Sequence, residues 1–494
     1  MSSANATIAA TGAQLPSSQS VGVLVRRMRV VRGERSGAAR TRTGRRRGTR
    51  LKRRSDRPIE HILLAAYLYS PCNVVSAHRP LGLRRGFEAA GVRTTVMTSK
   101  ISGSAEDDEA QGVIRAGDLR TRFRTQYQEL VGYSGETGVA SRDRPRWWTN
   151  FVVPDITALT WFPQALRQLL KLIRKDRPDA IVTTSGPEST HLLGLVARAF
   201  GVRWVADYRD GWLRDVSHPF FLRPVDRLLE RLIARRATFV SAINEEIASD
   251  VRRRYGVSAH VISNGFDMRA IESATDERAK LDAKRFSLVY TGMFGMDLEE
   301  PVLHRGRDAR MFLDALELLL EREPQLTTSF ELVAAGTISD TERELLGKGN
   351  LGRVTRVMGR VPHSTALGLQ QAADGLLLIP GGIDATTAKV FEYLAAKKPI
   401  FAITERQSAA AELLSEAGAH TAAPPTGPEE LAAAFRAYLA RWAKAGEQFQ
   451  PSPAFDLGAY EYESLGRKML DLIDAEGAAP KRKPRFPKEA RTNS

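Results

Sequence analysis

Cysteine is almost missing from this chain of 494 residues: Cys72 stands alone. That excludes an intrachain disulfide and a Cys-ligated metal cluster. Long apolar runs are missing as well, and none approaches the roughly 18–20 residues that a membrane-spanning helix requires. No Asp-x-Asp pair is present to hold a metal between two acids. A secretory leader is not legible, because the Arg cluster follows the apolar Val21–Val25 patch instead of preceding it. These absences lead us to expect a soluble cytoplasmic protein that needs no resident metal or cofactor.

Acidic residues are scarce only at the two ends. Of the formal net charge of +16, residues 1–57 carry +13 and residues 477–494 carry +5, which leaves −2 for 58–476. The basicity belongs to the termini. The head, 1–57, is poor in aromatic residues and rich in Arg, Gly, Ser and Thr, so it buries little surface and is expected to be disordered. Three uses stay open for it. It would hold an anionic membrane face, at roughly 1 kcal/mol per basic residue. It would touch nucleic acid through phosphates, the least expected use. Or it is an upstream extension of the reading frame without function. The tail 477–494, with Lys481-Arg482-Lys483-Pro484-Arg485, allows the same readings.

The body is long enough for two or three full cores. In residues 58–269, His61–Tyr67 reads as a short apolar strand ended by Ser70-Pro71. Pro80–Ala90 reads as a helix stopped by Gly91, and Thr94–Thr98 as a second strand. That is a βαβ unit, the seed of a doubly wound parallel sheet, and the loop Pro71–Arg79 lies where such sheets place ligands. Residues 101–150 are polar and predict an irregular insertion with one helix near 120–132. Trp161-Phe162-Pro163 leads into a helix to about Arg174, Ala180–Thr184 and Val202–Ala206 are further strands, and Ser185–His191 is a strand-to-helix corner. The strand at 202–206 delivers Asp207-Tyr208-Arg209-Asp210-Gly211-Trp212, with two acids flanking an arginine at the sheet's ligand edge. One reading pairs Arg209 with either acid; the other sends Arg209 and Asp210 to a ligand.

A charged hinge, 270–285, opens a second domain at 270–450. Ser287–Gly292 is a strand whose terminal Gly lets a nucleotide approach the backbone, and Arg305 or Arg307 in the following loop would meet a diphosphate. His363, after the strand near 354–361, suits capping or packing better than catalysis. A late helix, Tyr460–Ala475, lies within 451–476 and carries Tyr462, Leu465, Met469 and Ile473 on one face. The chain is organised around 375–400. Gly375–Pro380 is a buried strand, Gly381-Gly382 breaks it, and Thr386 or Thr387 caps a helix whose stripe is Val390, Phe391, Leu394 and Ala395. A helix N-terminus offers unpaired N–H groups and partial positive charge, which suits a phosphate. Asp384 and Glu392 bracket it, each able to accept both hydroxyls of a ribose or sugar, and Lys389 would neutralise diphosphate charge. Taken singly, these are a loop acid, a solvated helix acid and a surface lysine.

Taken together, the segment resembles the donor-sugar signature of glycosyltransferase family 4. There, two acids eight positions apart precede a small-residue, Lys/Gly-Pro ending; here they are Asp384, in place of the usual Glu, and Glu392. The Trp161/Pro163 lead-in, the Gly186-Pro187 corner and the Asp207–Trp212 cluster resemble the family's amino-terminal domain. The resemblance covers about 60–475. It implies an α/β fold of the GT-B kind, two doubly wound Rossmann-like domains facing across a cleft, with the late helix crossing back onto the first. It further implies a hexosyl-type glycosyltransferase, generally retaining, that takes a nucleotide-sugar donor to a polysaccharide, glycolipid or small-molecule acceptor. By resemblance, Gly292, Arg307, Asp384, Thr387, Ala388, Lys389 and Glu392 bind the donor and Asp210 and Arg209 contact the reacting centre. Arg79 and His191 then face the acceptor. The alternatives are a nucleotide-sugar 2-epimerase, which shares the two domains, and a non-catalytic scaffold or nucleic-acid binder working through the Arg-rich head.

Overall fold

Short runs that are apolar throughout form strands buried on both faces, the habit of parallel sheets covered by helices. The computed structural model describes residues 58–72, 74–119, 151–212, 218–292, 309–380, 387–404, 406–419, 422–423, 427–443 and 449–478. The head, most of the tail, the helix expected near 120–132, Arg305, Arg307 and Asp384 lie outside the described residues.

Among those described, the first sheet comprises β1 (His61–Ala65), β2 (Arg93–Ser99), β3 (Val113–Ala116), β4 (Ala180–Thr184), β5 (Arg203–Tyr208), β6 (Phe239–Ala242) and β7 (Ala259–Val261). All pair in parallel, in the order β3-β2-β1-β4-β5-β6-β7. The second comprises β8 (Phe286–Thr291), β9 (Phe330–Ala335), β10 (Thr355–Gly359), β11 (Gly375–Leu378), β12 (Ile400–Ile403) and β13 (Ala422–Ala423), again parallel, in the order β10-β9-β8-β11-β12-β13. Strand order reverses between β1 and β4 and again between β8 and β11. Sheets of this kind open a ligand crevice at such a switch point, beyond the carboxyl ends of the strands.

The helices that matter here are α1 (Val75–Ala89), α2 (Thr190–Ala199), α3 (Arg223–Arg236), α4 (Glu245–Tyr255), α5 (His363–Ala372), α6 (Ala388–Ala395) and α7 (Tyr462–Ala478). Helix α1 begins five residues before the expected Pro80, which therefore sits inside it. A proline has no N–H for the carbonyl four residues back, which belongs to Ser76. The Arg209 side chain supplies the missing donor, Nη1 to Ser76 O at 3.1 Å.

Helix α7 returns to lie on α1. The two backbones meet where side chains are absent: a Cβ on Gly86 would come to 2.2 Å from the Tyr462 carbonyl oxygen, and one on Gly466 to 2.7 Å from Gly86 Cα. Beside that contact Tyr462, Leu465, Met469 and Ile473 join Leu64, Leu83, Val205 and Phe239 in one buried cluster.

Candidate active site at the cleft

At the first switch point, His78 and Arg79, neighbours on α1, face different ways. Arg79 turns inward and is fully buried. Its Nε and Nη2 donate to Asp207 Oδ2 (2.9 Å) and Oδ1 (2.8 Å), Nη2 also to Ile262 O (2.8 Å), and Nη1 to Ser263 O (2.6 Å). Ser241 Oγ adds a 2.7 Å bond to Asp207 Oδ1. Burial alone would raise the Asp207 carboxyl, but Arg79 and Ser241 outweigh it and hold its pKa below the usual range. The Arg79 guanidinium therefore ties α1 to β5 and to the segment after β7 and does not reach toward an acceptor. His191 is likewise a core residue. Its Nδ1 lies 2.8 Å from Thr183 Oγ1 and its ring packs beside those of Tyr208 and Trp212, at 5.2 and 6.1 Å between centroids.

Because Asp207 is taken by Arg79, Arg209 is left without it. Arg209 binds Ser185 Oγ through its backbone N–H (2.8 Å) and Ser76 O through Nη1; among the described residues no carboxylate lies within ion-pair distance of it. Burial lowers its pKa, while neighbouring Asp210, which is exposed, acts in the opposite direction.

At the second switch point, Thr387 takes the N-cap position of α6. Its hydroxyl makes no cap bond and, though buried, has no hydrogen-bond partner among the described residues. Lys389 runs back over the end of β8, with Nζ 4.9 Å from the centre of the Tyr290 ring. A Cβ on Gly292, where φ is +135°, would lie 2.1 Å from that Nζ. Where the sequence predicts an opening for a nucleotide in front of this glycine, the lysine ammonium fills the space.

Glu392 is the centre of the constellation, its side chain 12 % exposed. It accepts from His363 Nε2 at 3.1 Å and from Gln370 Nε2 at 3.4 Å. The Gln370 amide also donates to Thr291 Oγ1 (3.0 Å), whose partner is the Tyr393 hydroxyl (3.2 Å), so the carboxylate is held by a chain of buried groups. Burial pushes the Glu392 pKa up, but His363, His78 and Gln370 push it down further, and the net direction is below the ordinary glutamate value.

The two domains meet here. The His78 ring, from α1, lies 4.1 Å from the His363 ring at 35°. Burial first, and then His363, drives the His78 pKa down to about 4. Ligating atoms of His78, His363 and Glu392 all fall within 4.8 Å of one another. Two imidazoles and a carboxylate are a donor set that could hold a divalent cation such as zinc, or hydrogen-bond a cluster of hydroxyls. Beside them is a cavity of about 280 Å³ lined by Ser70, Pro71, Cys72, His78, Pro362 and His363. A larger one, of about 550 Å³, borders Asp374 and Pro399, next to the amino ends of β11 and β12. That is the wrong edge of a parallel sheet for a ligand site, so the cleft is the better candidate.

Sequence reasoning missed His78 and Gln370 and undervalued His363. The only available signal for His78 was its place in a segment at the carboxyl end of β1. Its partners come from the other domain, and spacing along the chain does not reveal them.

Two of these histidines make stability depend on pH. His78 and His191 have pKa values depressed to about 4 and about 3, with burial the largest cause in each. An unfolded histidine titrates near 6.5, so the unfolded chain takes up protons first and stability falls as pH drops below about 6.5. Each group contributes a slope of up to about 1.4 kcal/mol per pH unit, and that of His78 ends near its folded pKa. Urea denaturation from pH 7.5 down to about 4.5 should show the decline, and His191→Gln should remove part of it. An unchanged slope in that variant contradicts the assignment.

Residues 76–265 match the profile of the glycosyl transferase 4-like domain. Among curated protein sequences none matches the chain. The fold is similar to that of sucrose-phosphate synthase from Thermosynechococcus elongatus, at 17 % identity, with 85 % of this chain and 96 % of that one covered and a TM-score of 0.53. It is similar to a glycosyltransferase from Rickettsia africae at 12 % identity, with 85 % and 96 % covered and a TM-score of 0.50. It is also similar to a protein from Listeria monocytogenes described as a candidate UDP-N-acetylglucosamine 2-epimerase, at 12 % identity, with 87 % and 100 % covered and a TM-score of 0.51. At such identities the likeness speaks for the fold. Residues 76–265 therefore form a domain similar to the glycosyl transferase 4-like domain, and with a second parallel α/β domain facing it the chain has a GT-B fold.

Proposed function

We propose that the protein transfers a sugar from a nucleotide-sugar donor, held by the second domain, to an acceptor admitted on the side of the first. The observation that carries this reading is the meeting of Glu392, His363 and Gln370 with His78 and Arg209 at two facing switch points. An ionised Glu392 accepts hydrogen bonds from a pair of sugar or ribose hydroxyls. Lys389, the first-turn N–H groups of α6 and the Thr387 hydroxyl receive the diphosphate, and Arg209 adds positive charge from the opposite domain. Charge developing on the departing diphosphate is then stabilised by groups already in place. With a pKa near 4, His78 is too weak a base to keep a proton at neutral pH, so it acts as a neutral hydrogen-bond partner.

The test is nucleoside diphosphate release from UDP-, GDP- and dTDP-sugars by the full chain, with and without oligosaccharide, glycolipid and small-molecule acceptors. We expect release from one nucleotide class, raised at least about tenfold by one acceptor class. Donor converted to free nucleotide and an epimerised sugar without any acceptor supports the 2-epimerase instead. Inertness toward every donor, alone and with each acceptor, contradicts both.

A further inference from the structure

Helix α3 is built inside out. Its buried face carries two carboxylates, Asp226 and Glu230, beside Ile233 and Ala234. The acids are held internally, Asp226 through Oδ2 by His218 Nδ1 at 2.8 Å and Glu230 by Arg254 Nη1 at 2.6 Å together with the Tyr255 hydroxyl of α4. Its outward face carries the hydrocarbon. Leu228 is 67 % exposed, Val225 and Leu232 share its face, and at the amino end Phe220 and Phe221 are 80 % and 54 % exposed. Phe221 lies 6.0 Å from the exposed Phe151 ring, which extends the patch off the helix. Exposed apolar side chains gathered on one face of a globular protein mark a contact surface.

Charge identifies the contact. Arg223, Arg227, Arg231, Arg235 and Arg236 are exposed on the same helix, and among the described residues none is in an ion pair. Both acids of the helix are buried, so the outward face is purely cationic. A second copy would set these five arginines against five more. Nucleic acid or an acidic peptide would satisfy the arginines and leave Phe220 and Leu228 without a counterpart. An anionic bilayer takes both: guanidinium groups meet lipid phosphates, and the phenylalanines and leucines enter the boundary between headgroups and acyl chains.

We propose that the outward face of α3, with Phe220 and Phe221, docks the first domain on an anionic lipid surface. Stable peripheral binding generally takes two signals, and the net +13 of residues 1–57 is a second of the same sign. If the first domain is the acceptor side, as the transferase reading has it, the acceptor is delivered from the membrane.

Flotation of the full chain with phosphatidylcholine vesicles, with and without phosphatidylglycerol, tests the docking. We expect binding to the anionic vesicles and a loss of at least about tenfold in the triple variant Phe220→Ser, Phe221→Ser, Leu228→Ser. These side chains are exposed, so the melting temperature should be almost unchanged. A triple variant that floats as well as wild type assigns binding to the basic termini and overturns the proposal. So does a wild-type chain that stays in solution, or a lipid-free oligomer that the triple variant dissolves. No donor enters this assay, so its failure leaves the transferase reading standing.

Discussion

Replacing Asp207 by Ala should cost about 3–5 kcal/mol of folding stability, because it strands the Arg79 cation inside the first domain. The side chains of Arg79 and Asp207 are 1 % and 0 % exposed, so water cannot take over for the lost carboxylate. Against a typical total of about 5–15 kcal/mol, that loss is a third or more. It would read as a large drop in melting temperature with the denaturant slope little changed. Arg79→Met combined with Asp207→Leu should cost less than Asp207→Ala alone, since no unpaired charge remains buried. A cost below about 1 kcal/mol for Asp207→Ala contradicts the structural role given to the pair. The sign with pH follows from the depressed Asp207 pKa. Its contribution is complete above the unfolded value near 3.9 and is lost as pH falls through the lower folded one, below the His78 window and overlapping only the lower end of that of His191.

How far the sequence could be read depended on whether the deciding contact was local. Runs such as His61–Tyr67 and Ala180–Thr184 are mostly apolar, and they contain strands β1 and β4. Strand β3 escaped because Val-Ile-Arg-Ala is only four residues long and carries an arginine. It is defined by its pairing with β2, and Arg115 is accommodated by Asp108 and the Ser70 carbonyl. The start of α1 escaped because a proline usually opens a helix. Here the carbonyl it leaves bare is satisfied by Arg209, a residue from the far side of the switch point. The segments after β1 and β4 that hold Arg79 and His191 lie at the ligand edge, yet both side chains point into the core. Along a helix, neighbouring side chains diverge by roughly 100°, so His78 looks into the cleft while Arg79 does not. Glu392 was legible from its segment; His363 and His78, its neighbours beside and across the cleft, come from elsewhere in the chain.

Glu392→Ala should weaken nucleotide-sugar binding by about 100-fold, roughly 2.7 kcal/mol. A carboxylate bonded to two hydroxyls contributes about 1.5–3 kcal/mol per bond. Part of that is offset because His363 and Gln370, freed of Glu392, can turn to the ligand or to water. Glu392→Gln keeps the shape and one acceptor and should fall between the two. The side chain is 12 % exposed at the cleft, so folding should change much less than binding.

Donor binding by the full chain, followed as a shift in melting temperature, tests the central claim most directly. UDP-, GDP- and dTDP-sugars should be titrated against wild type and Glu392→Ala in parallel. At about 100 times Kd, a bound donor stabilises the folded state by roughly 2.7 kcal/mol. The predicted result is a shift with one nucleotide class that falls to about 0.4 kcal/mol in the variant at the same concentration. No shift with any donor, or a shift of equal size in both proteins, would contradict a donor site built on Glu392.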